Sequence, residues 1–200
     1  MRLLYLLFFL LSPWIYAQEP YVSPKGAVFE LTWSQPGAFA ALDQESLKSL
    51  FIPAFRSTYR LHGAFDSWTD GEVDHYLADY FDTAIAPRLK DPSPSLRFVS
   101  VTAEGKLVGF ALFEKTGQEE IYVGELAIDP EHWRQGLGRF LMEAILEKEP
   151  ETKKIWLITE NVNRGAQRFY ESLGFQPSSQ IHEGYSSDLY RGYEKSVISP

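Results

Sequence analysis

Residues 121–146 read IYVGELAIDPEHWRQGLGRFLMEAIL, and this stretch decides how the chain folds. Residues 121–128 are apolar enough to predict a strand, which stops at Asp129-Pro130. A polar loop leads to Gly136-Leu137-Gly138, and the spacing beyond it predicts an amphipathic helix to about Lys148. The first N–H groups of a helix have no intrahelical acceptor, and the helix dipole adds partial positive charge there. Glycines at that point leave bare backbone for a bulky anion. The unit predicts a site for a phosphate-bearing ligand.

Working outward, residues 27–33 (AVFELTW) predict a first strand. Helical spacing runs through residues 43–62, where Pro53 is expected to kink or split the helix, and again through residues 73–89. Residues 96–101 and 106–113 predict a hairpin around Ala103-Glu104-Gly105. After the glycine turn and its helix come a buried strand at 154–159 and a helix capped by Asn163 and ended by Gly174. An irregular segment, 176–188, precedes a last strand at 189–194. The order β-α-α-β-β-β-α-β-α-β predicts an α/β fold with a mixed sheet in one domain, residues 18–200.

The 200 residues, 44% hydrophobic and 15% aromatic, suffice for one packed core. A formal net charge of −8 argues against nucleic-acid binding, which needs clustered Lys and Arg. Residues 1–17 stand apart. Arg2, the apolar run 3–11, Ser12-Pro13 and Ala17 follow the order of a secretory signal peptide. Residues 3–17 fall short of the about 20 needed to span a bilayer, so no stable membrane insertion is expected once the leader is removed. The expectation is an exported protein if the leader is cleaved and a cytoplasmic one otherwise. With no cysteine, no HExxH string and no metal-ligand spacing among the four histidines, no metal site is expected.

The glycine turn admits more than one reading. A P-loop is absent, because no GxxxxGK[ST] string occurs. A dinucleotide site wants GxGxxG, but Leu141 stands at the third glycine, although Glu160 ends the next strand at a suitable distance. The loop from Asp129 to Gln135 is also too long for the tight turn of that fold.

A third reading covers nearly all of the chain after the leader. Leu126-Ala127-Ile128-Asp129-Pro130 followed by Trp133-Arg134-Gln135-Gly136-Leu137-Gly138 resembles the acyl-CoA-binding motif of the GNAT superfamily of N-acetyltransferases. Asn163, Ala166, Phe169, Tyr170, Gly174 and Phe175 match its second signature, Asn-x-x-Ala-x-x-Phe-Tyr-x-x-x-Gly-Phe. The usual leading Gln or Arg of the turn is Trp133 here, with Arg134 and Arg139 as candidate donors in its place.

The resemblance implies a mostly antiparallel sheet flanked by helices, with a strand pair that splays to admit the cofactor. It implies transfer of an acetyl group from acetyl-CoA to the primary amine of a small molecule or protein. Backbone N–H groups of Gln135, Gly136, Leu137, Gly138 and Arg139 would bind the pyrophosphate. Leu126, Ala127 and Ile128 would pair with the pantetheine, with Asn163 and Ala166 beside it. Tyr170 matches the family's general acid, and a phenol can hand a proton to a departing thiolate of comparable basicity. Glu125 is the candidate base. Strict alternation puts it on one face with Ile121, Val123 and Ala127, where apolar surroundings would raise its pKa. Residues 59–70 and His182-Glu183 are candidate walls for the acceptor. A non-catalytic acyl-CoA-binding or protein-interaction module on the same fold is the alternative.

Overall fold

The computed structural model describes residues 20–34 and 36–197; the leader-like residues 1–17 lie outside them. One sheet holds β1 (Tyr21–Val22), β2 (Val28–Ser34), β3 (Leu96–Ala103), β4 (Lys106–Lys115), β5 (Glu120–Ile128), β6 (Lys154–Glu160), β7 (Gln176–Ser178) and β8 (Tyr190–Ser196). Their order across the sheet is β1-β2-β3-β4-β5-β6-β8-β7. Only β5 and β6 run parallel; every other neighbouring pair is antiparallel. This mixed α/β sheet matches the expected class, and the single β5–helix–β6 crossover is the only part that a dinucleotide fold would share.

The helices are α1 (Gln44–Leu61), α2 (Asp70–Tyr80), α3 (Ala86–Lys90), α4 (Leu137–Lys148) and α5 (Arg164–Ser172). Local chemistry sets their ends. The Asp43 carboxylate accepts from the N–H groups of Glu45 and Ser46 and starts α1. Thr69 and Glu72 form a reciprocal capping box on α2. Asn163 accepts from Ala166 N–H at 2.9 Å, and Gly174 ends that helix with φ 87°. Pro53 lies inside α1 without splitting it, contrary to that part of the expectation. The predicted 73–89 helix is instead broken by a π turn at Phe81–Ile85, between α2 and α3.

Each sheet face carries its own core. Phe29, Val101, Phe113, Ile121, Leu141 and Ile145 lie under α4 and α5. Phe51, Leu77, Phe81 and Leu89 from the α1–α3 layer pack with Phe98 and Phe110 of the sheet. The hairpin turn at Glu104-Gly105 has φ of 50° and 77°, the two left-handed residues that a tight two-residue hairpin needs. Residues 176–178, expected to be irregular, pair with β8.

Two irregularities in β5 shape everything that follows. Leu112 pairs with Glu125 while Phe113 pairs with Val123, so Gly124 is left over as a bulge. The bulge flips the alternation. Ile121 and Val123 belong to the core under α4 and α5, as do Leu126 and Ile128 beyond the bulge, while Ala127 belongs to the opposite core. Glu125 therefore shares a face with Ala127 but not with Ile121 and Val123, which corrects the strict-alternation reading. The second irregularity is a parting of strands. Pairing of β5 with β6 ends at Val123↔Leu157, although β5 runs on to Ile128 and β6 to Glu160.

Candidate active site

Beyond Val123 the β6-facing edge of β5 is released, and Leu126, Ala127 and Ile128 lie along it. An exposed strand edge offers N–H and C=O groups at the spacing of an extended amide chain. At the end of this edge, Asp129 accepts from Glu131 N–H, and the Trp133 indole N–H donates to the Ile128 carbonyl at 2.8 Å. Trp133 thus secures the loop to the strand. Arg134 follows with φ 63° and is exposed, and Gly136 has φ 86°.

The start of α4 differs from those of α1, α2 and α5, because Gly136 is its N-cap and no side chain caps it. The first helical bond runs from Phe140 N–H to the Gly136 carbonyl, so the N–H groups of Leu137, Gly138 and Arg139 precede the ladder. A backbone built this way fits an anion such as a pyrophosphate. The two glycines have further constraints. A side chain at Gly136 would run into the Tyr21 hydroxyl, and one at Gly138 would meet Phe169 Cζ at 2.9 Å. Tyr21 donates to the Gln135 carbonyl at 3.0 Å and stacks on Phe140 with centroids 4.6 Å apart. The Arg139 side chain is engaged by Glu143 and by the Ser172 carbonyl, which leaves its backbone N–H as its contribution to the turn.

On the α1–α3 face, Glu125 is 5% exposed and accepts from the Tyr80 hydroxyl at 3.0 Å. Tyr80 lies 3.1 Å from the Tyr185 hydroxyl. Its single proton serves Glu125, so Tyr185 is the donor in that second bond. Arg88, just beyond the π turn, pairs with Glu114 at 2.7 Å and lies over Gly124. Burial pushes the Glu125 carboxyl up to about 7, against the opposing pull of Arg88 and the Tyr80 bond. A carboxylate so placed can take and release a proton near neutrality.

Tyr170 lies in the opposite core, ringed by Phe169, Phe175 and Tyr193. It is 8% exposed. Burial and then the Glu125 charge push its phenol up, so it stays protonated and ready to donate. Glu125 and Tyr170 therefore flank the strand gap from opposite faces of the sheet. Asn163 caps α5 through its side-chain oxygen, while Ala166 supplies the bonded N–H and packs on the core.

The acceptor-wall candidates also fall on the Glu125 face. His182 stacks on Tyr122 with centroids 4.3 Å apart, and Tyr59 donates to Glu160 at 3.0 Å. Sequence reasoning missed Tyr80, Arg88 and Tyr185, which are distant in the chain. It could have found the bulge, because a lone glycine inside a strand pattern is its usual mark. Among the described residues no group of three or more His, Cys, Asp or Glu could hold a metal ion.

The model of the acetyltransferase (GNAT) family matches residues 46–175. The chain belongs to this family. Among curated proteins, it is 32% identical over 103 residues to the ribosomal protein bS18-alanine N-acetyltransferase of Salmonella typhimurium, covering 50% of this chain and 67% of that one. It is 28% identical over 118 residues to protein YqkA of Bacillus subtilis, covering 58% of this chain but only 34% of YqkA. Among solved structures, the PaiA N-acetyltransferase of Thermoplasma acidophilum in complex with coenzyme A superposes with a TM-score of 0.64 at 15% identity, covering 84% of this chain and 99% of that one. At that identity the likeness establishes the GNAT fold alone. Within that fold, the edge of β5 freed from β6 leads through residues 129–135 to the uncapped start of α4 in this GNAT chain.

Proposed function

We propose that this GNAT chain moves an acetyl group from acetyl-CoA directly to a primary amine. The observation that carries the proposal is a buried carboxylate of near-neutral pKa on a strand whose edge opens beside it and leads to an uncapped helix start. Acetyl-CoA supplies an activated acetyl thioester when bound. Leu126, Ala127 and Ile128 hold its amide arm by strand-like pairing, and the N–H groups at residues 135–139 hold its pyrophosphate.

Glu125 takes the proton from the acceptor ammonium, which frees the nitrogen lone pair for attack. Being almost wholly buried, Glu125 returns that proton outward through the Tyr80 and Tyr185 hydroxyls, which must both rotate to donate away from it, the reverse of their resting polarity. Tyr170 delivers a proton to the departing sulfur and recovers one from the second proton that the nitrogen sheds as the amide forms. The bond between acetyl carbon and sulfur breaks as the amide forms, and the products are an N-acetyl amine and free CoA thiol.

The test is release of CoA thiol by the purified protein given acetyl-CoA and a panel of amines. Thiol release that depends on both amine and Glu125 supports the reading. Tight CoA binding without transfer to any amine would refute it in favour of a binding module.

A further inference from the structure

Glu160 is a second carboxylate on the working face, and the chemistry above does not use it. It ends β6, the other strand of the splayed pair. Alternation from Trp156, which packs against Tyr122 at 4.5 Å, puts Glu160 on the same α1–α3 face as Glu125. Among the described residues its carboxylate accepts from the Tyr59 hydroxyl at 3.0 Å. Among the described residues it has no ion-pair partner. Glu114 on β4 and Glu120 on β5, by contrast, are each paired with Arg or Lys. Gln167 fixes the strand end by donating to the Glu160 and Asn161 carbonyls, so the carboxylate is held in place.

Aromatic rings surround it. Tyr190 is its cross-strand partner on β8 and meets Tyr185 edge-on at 4.8 Å. Tyr59 contacts Phe65, and Phe65 contacts both Trp68 and Tyr76. Tyr185, at one end of this group, is also the outer hydroxyl of the Glu125 path. The two carboxylates are thus joined by a continuous tyrosine wall. Ring faces and an uncompensated carboxylate both favour a cation, and they disfavour an anion or a neutral apolar group.

We propose that Glu160, with Tyr59 and Tyr190, is a subsite for a second positive charge on the acceptor, and that the acceptor is an aliphatic diamine. One amine is acetylated beside Glu125, while the other, an ammonium, rests against Glu160. The inference rests on the acetyl-transfer reading for its chemistry but not for its binding test. Transfer is measured with the full chain on matched alkyl monoamines and α,ω-diamines of increasing length. Binding of the same amines is measured by calorimetry without acetyl-CoA.

The wild type is expected to favour a diamine of suitable length over its monoamine match by about ten- to a hundredfold in kcat/KM, the value of a charge-assisted contact. Glu160→Gln keeps the Tyr59 bond and should collapse that ratio toward one through the KM for the diamine. The calorimetric preference should vanish with it. Equal use and equal binding of both amine types by the wild type would overturn the subsite. So would a Glu160→Gln variant whose mono- and diamine parameters change in parallel. If diamines bind through Glu160 but no thiol is released from any amine, the subsite stands and the transfer reading falls.

Discussion

Replacing Glu125 by Gln removes a charge while keeping the shape and the acceptor for the Tyr80 hydroxyl. The folded carboxyl is raised from 4.5 to about 7, chiefly by burial. At about 1.4 kcal/mol per pH unit, the buried charge destabilises the fold by about 3 kcal/mol once fully ionised. The sign follows from proton counting. Between about pH 4.5 and 7 the folded protein keeps a proton that the unfolded chain has released. Stability contributed by this group is therefore full below 4.5, falls as pH rises through that window, and is flat above 7. The Gln variant lacks this slope.

Urea unfolding at pH steps from about 4 to about 8 should give two curves that meet at the acid end. At the alkaline end the variant should be the more stable by up to about 3 kcal/mol. The same variant should transfer acetyl groups about 10²–10⁴ times more slowly, the usual contribution of a positioned base. Wild-type kcat/KM should rise with pH through about 7, the value at which the folded carboxyl ionises. Parallel stability curves would refute the buried-charge reasoning, and undiminished turnover would remove Glu125 from the mechanism.

Tyr170→Phe should lower kcat by about 10²-fold or more with little change in the KM for acetyl-CoA, because only the proton delivered to the thiolate is lost. Steady-state kinetics with both substrates varied would show this. Gly136→Ala forces a side chain into a left-handed φ of 86° and against Tyr21. It should cost at least about 1–2 kcal/mol and lower CoA affinity, measured by thermal unfolding and calorimetry. Tyr21→Phe keeps the ring on Phe140 but loses the bond to the Gln135 carbonyl. CoA should bind about fivefold more weakly, and the melting temperature should fall by only about 2–4 °C, as suits one hydrogen bond of about 1 kcal/mol. An unchanged dissociation constant would show that the turn needs no such brace.

Local signals made much of the fold legible. Asn163 and Gly174 announced both ends of α5, and Gly136-Leu137-Gly138 announced the start of α4, because caps and left-handed turns are written in neighbouring residues. What escaped depends on relations across the chain. Strict alternation assigned Glu125 to the wrong face because one extra residue, Gly124, reverses every side chain beyond it. The π turn at Phe81–Ile85 has no breaker in its sequence, yet Tyr80 before it and Arg88 after it both reach β5. Tyr185 joins Tyr80 across 105 residues, a pairing that no periodicity encodes. Glu160 meets Tyr59 across 101 residues, another pairing that no local pattern announces.

The family match begins at residue 46, but the hydroxyl that holds the Gln135 carbonyl belongs to Tyr21. The most family-specific turn of the protein is thus propped by a two-residue strand that the family pattern does not include. With its carbonyl held by Tyr21, the trans 135–136 peptide has its N–H fixed in the opposite direction. A fragment trimmed to the matched residues 46–175 would keep Glu125, Tyr170 and both glycines and still lose that orientation. Weak cofactor binding by such a fragment would report where it was cut, and the proposed roles of Glu125 and Tyr170 should be judged only with β1 in place.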